Sequence, residues 1–98
     1  GNYNVAVGKH AGYSLQVAAN SNTIVGTSSC NVLKTGYSNA VLGYAAMYTA
    51  NNDESRTVAV GAAALYSMDG DVTVTQNTAI GYATGYYIST GVSNTHLG

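Results

Sequence analysis

One five-residue stretch, Asn77-Thr78-Ala79-Ile80-Gly81, recurs with variations through the whole chain. Its copies are Asn4-Val5-Ala6-Val7-Gly8, Asn22-Thr23-Ile24-Val25-Gly26, Asn39-Ala40-Val41-Leu42-Gly43, Thr57-Val58-Ala59-Val60-Gly61 and Asn94-Thr95-His96-Leu97-Gly98. The closing glycines stand at 8, 26, 43, 61, 81 and 98, in steps of 18, 17, 18, 20 and 17 residues. A fixed period of this size marks a solenoid, in which each repeat is one unit stacked on the next. The fold class that follows is all-β: a parallel β-solenoid or β-roll of about five to six coils, with residues 1–98 as a single repetitive segment. A helical reading fares worse, because apolar residues fall at spacings of two and glycine, asparagine and β-branched residues dominate.

Position within the motif assigns faces. The residue before the glycine is always a branched aliphatic: Val7, Val25, Leu42, Val60, Ile80 or Leu97. Two residues earlier stand Val5, Thr23, Ala40, Val58, Thr78 and Thr95, and side-chain alternation puts both columns on one strand face. This face, with Val60 at its centre, is expected to turn into the coil. The column between them is Ala6, Ile24, Val41, Ala59, Ala79 and His96, again apolar in five of six members. A strand apolar on both sides is covered on both sides, so the middle column is expected to face a second layer supplied by neighbouring subunits.

After each glycine the pattern continues. The third residue is small (Ala11, Ser29, Ala46, Ala64, Thr84), the fifth is Tyr13, Asn31, Tyr48, Tyr66 or Tyr86, and the seventh is Leu15, Leu33, Ala50, Met68 or Ile88. This reads as a turn followed by a second short strand. The asparagines that open five of the six motifs either stack as a ladder that satisfies turn carbonyls or simply tolerate turn geometry. Two segments break the rhythm. Asn51-Asn52-Asp53-Glu54-Ser55-Arg56 holds three of the seven charges and reads as a solvated turn, and Asp69-Gly70-Asp71 falls within the longest step. If the coils stack in register there, Asp53 and Asp71 lie about 4.8 Å apart, a weak candidate for calcium with Asn51 as a further ligand; the alternative is an ordinary solvated turn and no metal.

Composition narrows the function. Charged residues make up 7% of the 98, against ~25% in an average domain. A small monomer so poor in charge is close to insolubility, so much of the surface is expected to be covered by other copies. Lys9, Lys34 and Arg56 are scattered, which leaves no basic face for nucleic acid. No window approaches the roughly 20 apolar residues of a membrane span. Cys30 stands alone and reads as a small buried hydrophobe. Both ends fall at repeat boundaries, as expected of a piece of a longer fibrous chain. No catalytic motif is visible and no cofactor is implied, so the expectation is a non-enzymatic protein.

The repeated strand motif, followed by a small residue, Tyr or Leu, and then Thr-Gly-x-x-Asn (Thr35-Gly36-Tyr37-Ser38-Asn39 and Thr90-Gly91-Val92-Ser93-Asn94), resembles repeats of bacteriophage tail fibres. It is also similar to the head domains of trimeric autotransporter adhesins, built as left-handed parallel β-rolls. The 17–20-residue spacing suits the fibre repeats better than the adhesin heads. The resemblance implies a homotrimer, a place on a virion or the extracellular surface, and a role as a rigid shaft or head. Its implied partners are copies of itself, flanking repeats and a host-surface glycan or protein. A second resemblance, to left-handed β-helix acyltransferases, rests on hexapeptides such as Val7-Gly8-Lys9-His10-Ala11-Gly12 and Ile80-Gly81-Tyr82-Ala83-Thr84-Gly85, with His10 as the possible base. Only one hexapeptide per coil fits, and His10 has no carboxylate neighbour in its own repeat.

The tyrosines are the binding candidates. Tyr44 and Tyr82 directly follow a closing glycine, while Tyr13, Tyr48, Tyr66 and Tyr86 form a column. A phenol offers a flat apolar face and a hydroxyl, which suits contact with sugar or protein; equally, the ring can fill a coil corner or a subunit interface. Ice binding is disfavoured, because Thr23, Thr78 and Thr95 share their column with valines and an alanine and no second threonine column runs beside them.

Overall fold

The computed structural model describes residues 3–50, 54–67, 76–86 and 93–98. Each motif forms one three-residue strand: β1 (Val5–Val7), β2 (Thr23–Val25), β3 (Ala40–Leu42), β4 (Val58–Val60), β5 (Thr78–Ile80) and β6 (Thr95–Leu97). They pair in chain order as one six-stranded parallel sheet, in a solenoid of about four turns with no helix among the described residues. Equivalent motif positions are paired without a slip: Ala6 faces Ile24, Ile24 faces Val41, Val41 faces Ala59, Ala59 faces Ala79 and Ala79 faces His96.

The register is enforced where each strand ends. Gly43 and Gly61 sit at φ of 140° and 126°, a region that L side chains rarely adopt. A Cβ on Gly43 would come within 2.5 Å of the Gly61 carbonyl oxygen in the next coil. Glycine therefore stacks on glycine, and the backbone leaves the strand in the same direction in every coil. The amides there bind across coils: Gly43 N donates to Val25 O at 2.8 Å and Gly61 N to Leu42 O at 2.7 Å.

A second device locks the other end of each strand. Asn22 donates both its backbone N–H and its Nδ2–H to Asn4 Oδ1, at 3.0 and 3.1 Å, and Asn39 does the same to Asn22 Oδ1, at 3.1 and 3.0 Å. The second Nδ2 proton reaches a turn carbonyl, Gly36 O from Asn22 and Glu54 O from Asn39, each at 2.8 Å. Thr57, which replaces asparagine in its coil, still donates its N–H to Asn39 Oδ1 at 3.0 Å, and Asn94 N donates to Asn77 Oδ1 at 2.8 Å. Of the two readings of these asparagines, the geometry is that of the ladder. Asn22, Asn39 and Asn77 are buried, so each rung satisfies polar groups that water does not reach.

The second short strand expected after the glycine is not formed among the described residues. That side of the coil is a run of tight turns, with Ala11 N donating to Gly8 O and Tyr13 N to His10 O, both at 3.2 Å. The cause is left-handed backbone at alternate positions: His10, Ser28, Ala45, Ala63 and Ala83 form one column with φ of 52–60°, and Cys30, Met47 and Leu65 a second with φ of 48–51°. These turns also stack: Gly12 N donates to Ser29 O, Cys30 N to Ala46 O, Met47 N to Ala64 O and Leu65 N to Thr84 O, all at 2.9 Å.

The strand faces are the reverse of the sequence expectation. The middle column points inward, with Ile24, Val41, Ala59 and Ala79 buried against Cys30, Leu33, Ala46, Met47, Ala50, Ala64 and Leu65. Val60, expected at the centre of the core, lies on the outward face and is only half-buried. Width is the physical reason. The molecule is 16 Å across its thinnest direction, so a sheet and a layer of turns enclose room for alanines and a few larger side chains, not for six stacked aliphatics. Cys30 is a fully buried free thiol whose pKa is pushed far up by burial, with the nearby Glu54 carboxylate adding to it. The segment expected to be a solvated turn is partly interior: Glu54 and Ser55 are fully buried, while Arg56 is exposed and lies 5.6 Å from the centre of the Tyr37 ring.

Two substitutions separate these roles. Asn39→Ala removes a rung on which both Asn22 and Thr57 depend and should cost about 3 kcal/mol in a denaturant melt, the range for buried polar groups left unsatisfied. Lys34→Ala, at an exposed side chain, should fall within about 0.5 kcal/mol of the parent.

Candidate functional site

The alternation that turns Ile24 inward turns its two neighbours outward. The outer face of the sheet thus carries both β-branched and aliphatic columns, from Val5 and Val7 in β1 to Thr95 and Leu97 in β6. Val7 is 56% exposed and Leu42 50%; Val5, Ile80 and Leu97 are exposed as well. No charged residue interrupts the twelve outward positions of the six strands. Scattered exposed aliphatics are ordinary, but a contiguous flat array of them marks an interaction surface.

Tyr44 and Tyr82 border this face. Each follows the glycine that ends a strand, and their rings are 66% and 80% exposed. The position between them in the same column is Ala62, so the two phenols stand two coils apart and do not form a stacked pair with each other. Their exposed phenols offer a flat apolar face and a hydroxyl, and Tyr44 lies close enough to Tyr66 to influence its titration.

The other tyrosine column is a different structure. The Tyr48 and Tyr66 rings stack at 5.2 Å between centroids and 4° between planes, and Tyr66 and Tyr86 at 4.8 Å and 3°. The coil spacing produces this, because identical side chains one coil apart are held at the strand separation. Tyr13 does not join the stack; it meets His10 edge-on, with centroids 5.0 Å apart and an interplanar angle of 81°. His10, the possible base of the acyltransferase resemblance, is exposed on its turn.

The remaining positions singled out from the sequence fall in place as follows. Asn4, Asn22, Asn39, Thr57, Asn77 and Asn94 form the column that opens the strands, and Gly8, Gly26, Gly43, Gly61, Gly81 and Gly98 the column that closes them. Asn51, Asp53 and Asp71, the residues of the calcium candidate, lie outside the described residues. Among the described residues no group of three or more His, Cys, Asp or Glu side chains is placed to hold a metal ion. Nor is any helix long and apolar enough to cross a membrane. What sequence reasoning missed is the outward placement of Val60 and Leu42; the available signal was the three alanines in the middle column, against one in the twelve outward positions. Comparison with family models, curated proteins and solved structures gives no match.

The stack predicts an alkaline weakness. Burial raises the Tyr66 phenol above its ordinary value of 10.0, and the neighbouring Tyr86, Tyr48 and Tyr44 add to the rise. A group with a raised folded-state pKa holds its proton more firmly when folded. Its contribution is therefore complete below pH 10 and is lost as the pH climbs from there through the raised value. Melts from pH 8 upward should show a smaller alkaline loss of stability in Tyr66→Phe, which keeps the ring and removes the proton, than in the parent.

Proposed function

We propose that this chain is a structural segment of an extracellular trimeric fibre, a shaft or head of the kind found in bacteriophage tail fibres, with a share in attachment to a host surface. The observation that carries this reading is the uncharged outer sheet face, six strands long, with one column of aliphatics and one of mixed valine, threonine and alanine, on a chain that is 7% charged. Burying one fully exposed Val, Leu or Ile side chain is worth about 1.5–3 kcal/mol, so the face strongly favours a cover. A rotation axis parallel to the stack lets each coil meet its own copy at the same height and keeps the chain direction common to all copies. Fibres extend by that symmetry, and the resemblance of the repeats to tail-fibre and adhesin-head sequences supports three copies over two.

The face spans roughly 24 by 10 Å, less than the ~800 Å² per partner of a standard stable interface. Each further coil in register lengthens it. Association of the 98-residue chain is therefore expected to depend on concentration. Sedimentation equilibrium in the high micromolar range should give the mass of three chains, and Leu42→Asp, at a half-exposed outward position, should shift the population to monomer while the isolated chain remains folded. A monomer across the whole concentration range would overturn the reading.

A further inference from the structure

The tyrosine stack has an empty rung. Counted five residues after each closing glycine, the column reads Tyr13, Asn31, Tyr48, Tyr66, Tyr86, and only Asn31 fails to supply a ring. Tyr48 uses one ring face on Tyr66, which leaves the other directed along the stack toward the Asn31 coil. Two coils from Tyr48, Tyr13 is held at its edge by His10 and is 69% exposed. Between them lies a cleft of about 260 Å³ lined by His10, Tyr13, Ser28, Asn31 and Tyr48. That is smaller than the roughly 300–1,000 Å³ of pockets for drug-sized ligands and suits a single ring.

We propose that this cleft is a binding site for one neutral hexopyranose ring of a glycan, sandwiched between Tyr13 and Tyr48 with its hydroxyls on Asn31, Ser28 and His10. Two coil steps set the Tyr13 and Tyr48 positions roughly 9.6 Å apart along the stack. A flat ring in van der Waals contact on both faces needs only about 7–8 Å, and the phenols of the intact stack bridge the larger spacing by sliding off one another. A pyranose chair is puckered and carries axial hydrogens on both faces, so it fills the slot without an offset. The lining selects for the same chemistry. The two aromatic faces meet apolar C–H faces, while the asparagine amide, the serine hydroxyl and the imidazole offer neutral donors and acceptors to the rim of the ring. A purely apolar aromatic would leave those polar groups without partners, and none of the lining residues is an acid, a lysine or an arginine that would call for a charged ligand.

This site stands apart from the apolar sheet face, so it does not depend on the fibre reading, and its test reads ligand binding and not assembly. Saturation-transfer NMR on the full chain with methyl β-glucopyranoside at millimolar concentration should show transfer strongest at the axial ring protons. Asn31→Tyr fills the rung; it should abolish the transfer while raising the melting temperature. Tyr13→Ala, at an exposed ring, should leave the melt unchanged and weaken binding at least tenfold, which corresponds to about 1.4 kcal/mol. p-Cresol serves as the flat aromatic rival. Absence of transfer to the glycoside, transfer that survives Asn31→Tyr in a folded variant, or binding of p-cresol alone would each overturn the proposal.

Discussion

The approach of one closing glycine to the next is the constraint on which the rest of this structure depends. At Gly43 a side chain would collide with the Gly61 carbonyl, and the backbone at both positions takes a dihedral that other residues rarely reach. Because every strand leaves the sheet through this narrow stack, the coils cannot slip by a residue without placing a Cβ against a carbonyl. Fixing that column aligns the asparagines four residues upstream, where each Oδ1 accepts from the next coil and each described interior Nδ2 ties a turn to the strand. Two polar columns of backbone precision thus bracket a strand only three residues long.

Short strands and tight turns leave a thin interior, and this decides where the large side chains go. With 16 Å across the thinnest direction, half of the inward column is alanine, and the packing is completed from the turn side by Cys30, Leu33, Met47 and Leu65. The larger aliphatics are then displaced outward onto the sheet's other face. A fold whose core is too narrow for its own hydrophobic residues acquires an exterior rich in exposed aliphatics. The same coil spacing turns repeated tyrosines into a stack of parallel rings and turns a single asparagine in that column into a slot.

The periodicity made much of this legible. Six motifs aligned on their glycines reproduce the pairing of all six strands, because a solenoid translates sequence register directly into spatial register. Face assignment was harder to read. Both candidate faces are apolar, and period-two alternation says which residues share a side without saying which side is inside. Residue volume was the available cue: three of the six middle-column residues are alanine against one of the twelve outward ones, although Ile24 and Val41 are buried in the interior as well. The second side of each coil was opaque, since left-handed backbone at Ala45, Ala63, Met47 and Leu65 contradicts the ordinary preference of those residues and is imposed by hydrogen bonds between coils. Burial of Glu54 ran against its charge for a related reason: its backbone carbonyl is claimed by Asn39, which draws the segment inward. The break in the column at Asn31 was visible, but the cleft of about 260 Å³ beside it follows only from the folded coils.

Side-chain amide hydrogen exchange, followed by NMR residue by residue, tests the stacked-ladder account most directly. The Nδ2 protons of Asn22 and Asn39 are buried and bonded to both the preceding asparagine and a turn carbonyl, whereas Asn20 Nδ2 makes an exposed bond to Ala18 O. The account predicts that the Asn22 and Asn39 side-chain amides exchange as slowly as the Gly43 and Gly61 backbone amides and far more slowly than Asn20. Exchange of all three asparagine side chains at the same fast rate would contradict it.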